Sequence, residues 1–134
     1  MARYAIDART LLHLIDHGLA IDPAHQLVAA KGIHSDLLTL LLADVRRGVR
    51  TESAALTVHT RATEQRMRLL GDRVSRRTAW ELALAHDWGD LHDAETLAVA
   101  RLQADALVTV DEALAARADG IVPLAPLEAL LVGG

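Results

Sequence analysis

Asp7, Asp93 and Asp111 are the residues whose type and spacing point most directly to chemistry. Asp7 ends a strand-like run at 3–7, and Asp111 follows the apolar run Ala-Leu-Val-Thr-Val at 106–110. Asp93 opens a helical stretch at 93–103 directly before that second run. Its separation of 18 residues from Asp111 covers one helix and one strand, which returns both acids to the same edge of a sheet. In parallel α/β sheets, ligands bind outside the carboxyl ends of the strands. Three carboxylates gathered there repel one another unless a cation neutralises them, and oxygen-only ligands suit Mg2+ or Mn2+. Each acid taken alone also reads as a helix cap, a position Asp favours.

Other chemistries find fewer residues. His13 and His17 lie four apart on a helical stretch, but no third ligand, Cys or HExxH pattern accompanies them, and a zinc site needs at least three protein ligands. No P-loop, GxGxxG or GxSxG pattern occurs, which removes nucleotide-cradling and serine-hydrolase readings.

The elements that must position the acids follow from periodicity. Leu11, Leu12, Leu14 and Ile15 lie at helical spacing, with a stop at His17-Gly18. Asp22 and Pro23 predict a short helix over 23–30, and Gly32-Ile33-His34 a brief strand. Ser35 or Asp36 then opens a Leu-rich helix to about Gly48, and residues 51–70 form a polar helical stretch. Helices at 76–86 and 93–103 flank the loop Trp88-Gly89-Asp90, and a helix at 112–118 precedes a strand at 121–124 and a last helical turn near 126–131. The run 106–110 is continuously apolar, as in strands buried on both faces of a parallel sheet. Strands separated by helices predict a three-layer α/β/α sandwich with a central parallel sheet. Without an internal repeat or linker, residues 1–134 read as one domain.

Composition narrows the class. Hydrophobic residues make up 51% of the chain, ample for a buried core and too many for a disordered one. Phe is absent, so Leu, Ala, Val and Ile build that core and helices pack closely through Ala. Tyr4, Trp80 and Trp88 are the only aromatics, which argues against modules that stack bases on aromatic platforms. With no Cys, no apolar run near the ~18 residues of a membrane span, and Asp7 and Arg9 where a signal peptide needs apolar length, the expectation is a soluble cytoplasmic protein. Net charge is −4, but residues 45–80 carry +6 and the remainder −10. That basic segment, including Arg46, Arg47, Arg76 and Arg77, reads either as a solvated helical face or as a phosphate-tracking surface beside an acidic site.

These residues resemble a known family. The stretches YAIDARTLLHLI and RRTAWELALAHDWGDLHDAETLAVARLQADALVTVDEALAAR, with the Leu-rich helix between them, look like a PIN domain, and most closely the VapC-type toxins of bacterial toxin–antitoxin pairs. The specific part is the helix beginning Asp93-Ala94, followed by an apolar strand running into Thr109-Val110-Asp111. The resemblance implies a metal-dependent endoribonuclease using one or two Mg2+ (or Mn2+) ions, with Asp7, Asp93 and Asp111 as catalytic metal ligands and the Thr109 hydroxyl close to the metal. It also implies an RNA substrate, a homodimer, and an antitoxin partner whose C-terminal segment lies in the acidic groove.

Two departures from the family pattern stand out. The family's helical Glu falls at Leu40 or Leu41, neither able to bind metal. Asp44, about one turn further on, either takes over as a metal ligand or is a surface acid. Ala8 and Arg9 follow the first Asp where Ser or Thr is usual, although Thr10 is close. A degenerate PIN domain that binds RNA or protein without cutting is the alternative reading. A phosphoacceptor receiver domain is disfavoured, because it needs a Lys after a late strand and Lys31 is the only lysine.

Overall fold

The structure, a computed structural model, describes residues 1–133. Four strands, β1 (Arg3–Ile6), β2 (Gln26–Ala30), β3 (Arg68–Leu70) and β4 (Ala106–Val108), form one sheet in the order β3-β2-β1-β4. Every pairing is parallel, with Arg3 opposite Gln26, Tyr4 opposite Ala106 and Val28 opposite Arg68. The helices are α1 (Ala8–Asp16), α2 (Ile33–Arg46), α3 (Glu52–Glu64), α4 (Arg73–His86), α5 (His92–Gln103) and α6 (Glu112–Ala118), followed by a 3-10 turn at Leu127–Leu130.

Side chains alternate across a strand, so a sheet covered on both faces carries apolar residues at every position. Ala5, Val28, Ala30 and Leu107 meet α4, α5 and α6 on one face. Ile6, Leu27, Ala29 and Val108 meet α1, α2, α3 and the 3-10 turn on the other. The result is the expected three-layer α/β/α sandwich. Among the described residues, no helix is long and apolar enough to cross a membrane.

Four local expectations change. Residues 26–30 are the central strand β2, not a helix. The Asp22 side chain does accept a backbone bond from Ala24 at 2.9 Å, but it closes a turn there, and the apolar run Leu27 to Ala30 pairs with β1 instead of coiling. A short apolar run fits either state on periodicity alone, and the sheet decides it. Ile33 begins α2 where a brief strand was expected. The polar helix stops at Glu64, and Arg68–Leu70 adds a three-residue edge strand. Residues 121–124 make one bridge, Leu124 with Leu107, instead of a full strand.

α5 packs through Ala94, Ala98 and Ala100, all nearly or fully buried, against α4 and the sheet. The missing aromatic volume is thus replaced by close approach of backbones. Ala98→Leu should overpack this layer and cost about 1–3 kcal/mol, read as a lower urea midpoint with an unchanged slope.

Candidate functional site

β2 lies on one side of β1 and β4 on the other, so the direction of strand addition reverses at β1. Such a switch opens a crevice at the carboxyl ends of the strands, here between β1 and β4. Asp7 leaves β1 at this point, and Thr109 to Asp111 leave β4.

Asp7 anchors the crevice. Its Oδ1 accepts hydrogen bonds from the Thr10 hydroxyl and, at 3.0 Å, from the Thr109 hydroxyl. Thr10 Oγ1 accepts from the Val110 amide at 3.1 Å, and Thr109 Oγ1 from the Asp111 amide at 3.0 Å. Thr10 is fully buried. It supplies, one helical turn on, the hydroxyl missing directly after Asp7. Burial pushes the Asp7 carboxyl above its ordinary range; the two threonine hydrogen bonds oppose this, and the charge of Asp111 adds to it.

Asp111 caps α6, its Oδ1 accepting from the amides of Ala113 at 2.9 Å and Leu114 at 3.3 Å. Its Oδ2 faces Arg9 Nε at 3.6 Å. Asp93, in the first turn of α5, accepts at Oδ2 from Arg117 Nη1 at 3.1 Å. Burial raises the Asp93 carboxyl; Arg117 opposes the rise, while the charges of Asp111 and Asp90 add to it. Three sequence-derived acids therefore share one edge and act on each other electrostatically.

Among the described residues, no three carboxylate or imidazole groups close into a ready cage around a metal ion. The chemistry of the donor set still fits a hard divalent cation. All the available ligands are oxygens, and Asp7 Oδ2 carries no hydrogen bond among the described residues.

Asp44 stands apart from these acids. It lies near the C-terminal end of α2, where its Oδ1 takes Arg47 Nη2 at 2.6 Å and its Oδ2 takes Arg50 Nε at 3.3 Å. Arg50 also grips Asp16, at the end of α1, through two bonds of 2.9 and 2.8 Å. Both helices begin at the carboxyl edge, so their last residues lie at the opposite end of the molecule. Asp44 belongs to this structural ion pair and is no candidate ligand.

Two acids were missed by sequence reasoning. Asp90, in the loop before α5, accepts the His92 amide at 3.0 Å and raises the Asp93 carboxyl. Asp36, in the first turn of α2, lies 3.4 Å from His92 Nδ1. It sits one turn before Leu40 on the same helical face, at the end of α2 opposite to Asp44.

The basic segment divides. Arg46 and Arg47 end α2 beside Asp44, and Arg77 Nε lies 3.4 Å from Glu81 on the outer surface of α4. Arg76 instead lines a pocket of about 240 Å3 with Lys31, Gly71 and Glu95, next to the carboxyl ends of β2 and β3. An added Cβ at Gly71 would lie 2.9 Å from the Lys31 side chain, which would have to shift to admit it.

A raised folded-state carboxyl pKa means that the folded chain binds the proton more tightly than the unfolded chain. Ionised Asp7 therefore costs stability at neutral pH, a cost relieved as pH falls through its folded pKa. In chelator, Asp7→Asn should melt above the parent at neutral pH, with the gap closing on acidification. The amide oxygen can still accept from Thr10 and Thr109.

No family model matches the chain, and no curated protein matches it. Its fold is similar to the crystal structure of PAE2754 from Pyrobaculum aerophilum, with a TM-score of 0.72 and 22% sequence identity, over 96% of this chain and 91% of that one.

Proposed function

We propose that the chain is a metal-dependent endoribonuclease, the toxin of a toxin–antitoxin pair acting in the cytoplasm. The observation that carries this reading is the Asp7 carboxylate at the switch point, bonded by Thr109 and Thr10 and coupled to Asp111. The resemblance to PIN domains supplies the reaction class. Asp7, Asp93 and Asp111 would hold Mg2+ or Mn2+. A divalent cation bound there supplies the Lewis acidity for attack of water on a phosphodiester.

The chain's own groups do the rest. Thr10 and Thr109 fix Asp7 by one oxygen, and the other would serve as the ligand. The α6 amides hold Asp111 in the same one-sided way. Arg76 and Lys31, at the carboxyl ends of β2 and β3, add cations for RNA phosphates on the same sheet edge; Arg46 and Arg47 lie at the far end of α2. A homodimer and an antitoxin with a basic side chain reaching the three acids complete the reading.

The second reading, a non-catalytic RNA- or protein-binding module, is favoured by Arg9 and Arg117, which already pair with Asp111 and Asp93. One experiment separates the two. Asp93→Asn and Asp111→Asn should each lower Mg2+-dependent cleavage of single-stranded RNA by roughly a hundredfold or more, the scale of losing several kcal/mol of transition-state stabilisation. Asp44→Ala should leave Mn2+ affinity unchanged. Wild-type protein that cuts no RNA in Mg2+ or Mn2+ returns the chain to the binding-module reading.

A further inference from the structure

Arg117 has a second partner besides Asp93. Its guanidinium carbon lies 4.9 Å from the centroid of the Trp88 ring. Trp88 in turn stacks on His86 at 4.9 Å and 18°. The seat is built by the end of α4: Asp87 adopts a left-handed conformation at φ 56°, and the Trp88 amide returns to the Ala83 carbonyl at 2.9 Å. That closure resembles the Schellman motif, with Asp where Gly is usual. It fixes the backbone at Trp88, and the half-buried indole packs against the α4–α5 core.

Arg9, the other arginine at the acidic edge, differs. Its side chain is 59% exposed and its nitrogen lies 3.6 Å from Asp111, with no aromatic ring beneath it among the described residues. An exposed pair of that kind holds its geometry weakly. Arg117 presents a planar guanidinium on a fixed ring with one of its five donors spent on Asp93.

We propose that Arg117 competes with a divalent cation for Asp93 and, released from that carboxylate, binds an RNA phosphate from its seat on Trp88. The inference rests on the nuclease reading above and extends it to substrate binding. A guanidinium matches phosphate as well as it matches carboxylate, and the ring holds the side chain at the crevice whichever anion it contacts. The same cation then lowers metal affinity and raises RNA affinity, two effects of opposite sign that a purely structural arginine does not produce.

Arg117→Gln separates them. Mn2+ binding, followed by the electron paramagnetic resonance of the free ion, should tighten about fivefold, because one positive charge leaves the vicinity of Asp93. RNA binding is compared in an Asp7→Asn background to arrest cleavage. There, adding Arg117→Gln should weaken binding and lower the slope of log affinity against log salt by roughly 0.7. Arg117→Lys should restore Mn2+ affinity to the wild-type level and recover RNA affinity only in part, since an ammonium cannot reproduce the planar stack. Melting curves control for folding.

Unchanged or weaker Mn2+ binding in Arg117→Gln overturns the competition, and an unchanged salt slope overturns the phosphate contact. If wild-type protein binds no Mn2+, or binds it equally well after Asp93→Asn, the nuclease reading fails and this inference with it.

Discussion

The hydrogen bonds from Thr10 and Thr109 to one oxygen of Asp7 join parts of the chain that lie 102 residues apart. Each hydroxyl first accepts a backbone amide from the β4 exit, so its own proton is committed to the carboxylate. The network thus runs from Val110 and Asp111 through two hydroxyls into Asp7. It holds the ends of β1 and β4 in register at the one place where the sheet changes direction. Remove the acceptor and a buried hydroxyl loses its partner, at the cost of an unsatisfied polar group. The crevice and the β1–β4 junction therefore depend on the same few bonds.

Around this anchor the fold must tolerate like charges. It does so without burying them fully. Asp111 receives two amides at the start of α6, and Asp93 lies in the first turn of α5, where helix dipoles favour negative charge. Arg9 and Arg117 add positive charge from outside. The same carboxylate–arginine chemistry serves a different end at the opposite pole, where Arg50 ties Asp16 to Asp44 and holds α1 against α2. Acid–arginine contact by itself therefore marks no site. The acidic edge is distinguished by the Thr10 and Thr109 hydroxyls bonded to Asp7 and by its position at the switch point.

The parts of this arrangement that were legible in the sequence are the strand before Asp111 and the return of Asp93 to the same edge. The stretch Ala106 to Val108 is apolar at every position, and the spacing of Asp93 from Asp111 matches one helix and one strand. β2 was not legible because Asp22 and Pro23 are real turn residues, and their pattern is shared by a helix start and by the turn seen here. β3 has three residues, too few for any period. Asp44 and Asp36 illustrate a different limit. Helical spacing places both on faces near Leu40, but only the direction of α2 relative to the sheet tells which end meets the acids. That direction comes from β2, the strand that Asp22 and Pro23 mark in the sequence as a helix.

Charge shows the same dependence on topology. Counted along the chain, residues 45–80 form a single positive block. Folding disperses it: Arg50 is spent on two aspartates, Arg46 and Arg47 end α2 far from the crevice, and Arg77 leans toward Glu81. Arg76 stands instead with Lys31 at the carboxyl ends of β2 and β3. Glu95 shares their pocket and Asp72 caps α4 just after β3, so this end carries both signs, as the Asp111–Arg9 and Asp93–Arg117 pairs do at the other. A polyanion is repelled by the carboxylates of Asp7, Asp93 and Asp111 unless a cation stands among them. Under the proposed reading, metal loading and RNA binding are coupled through this field.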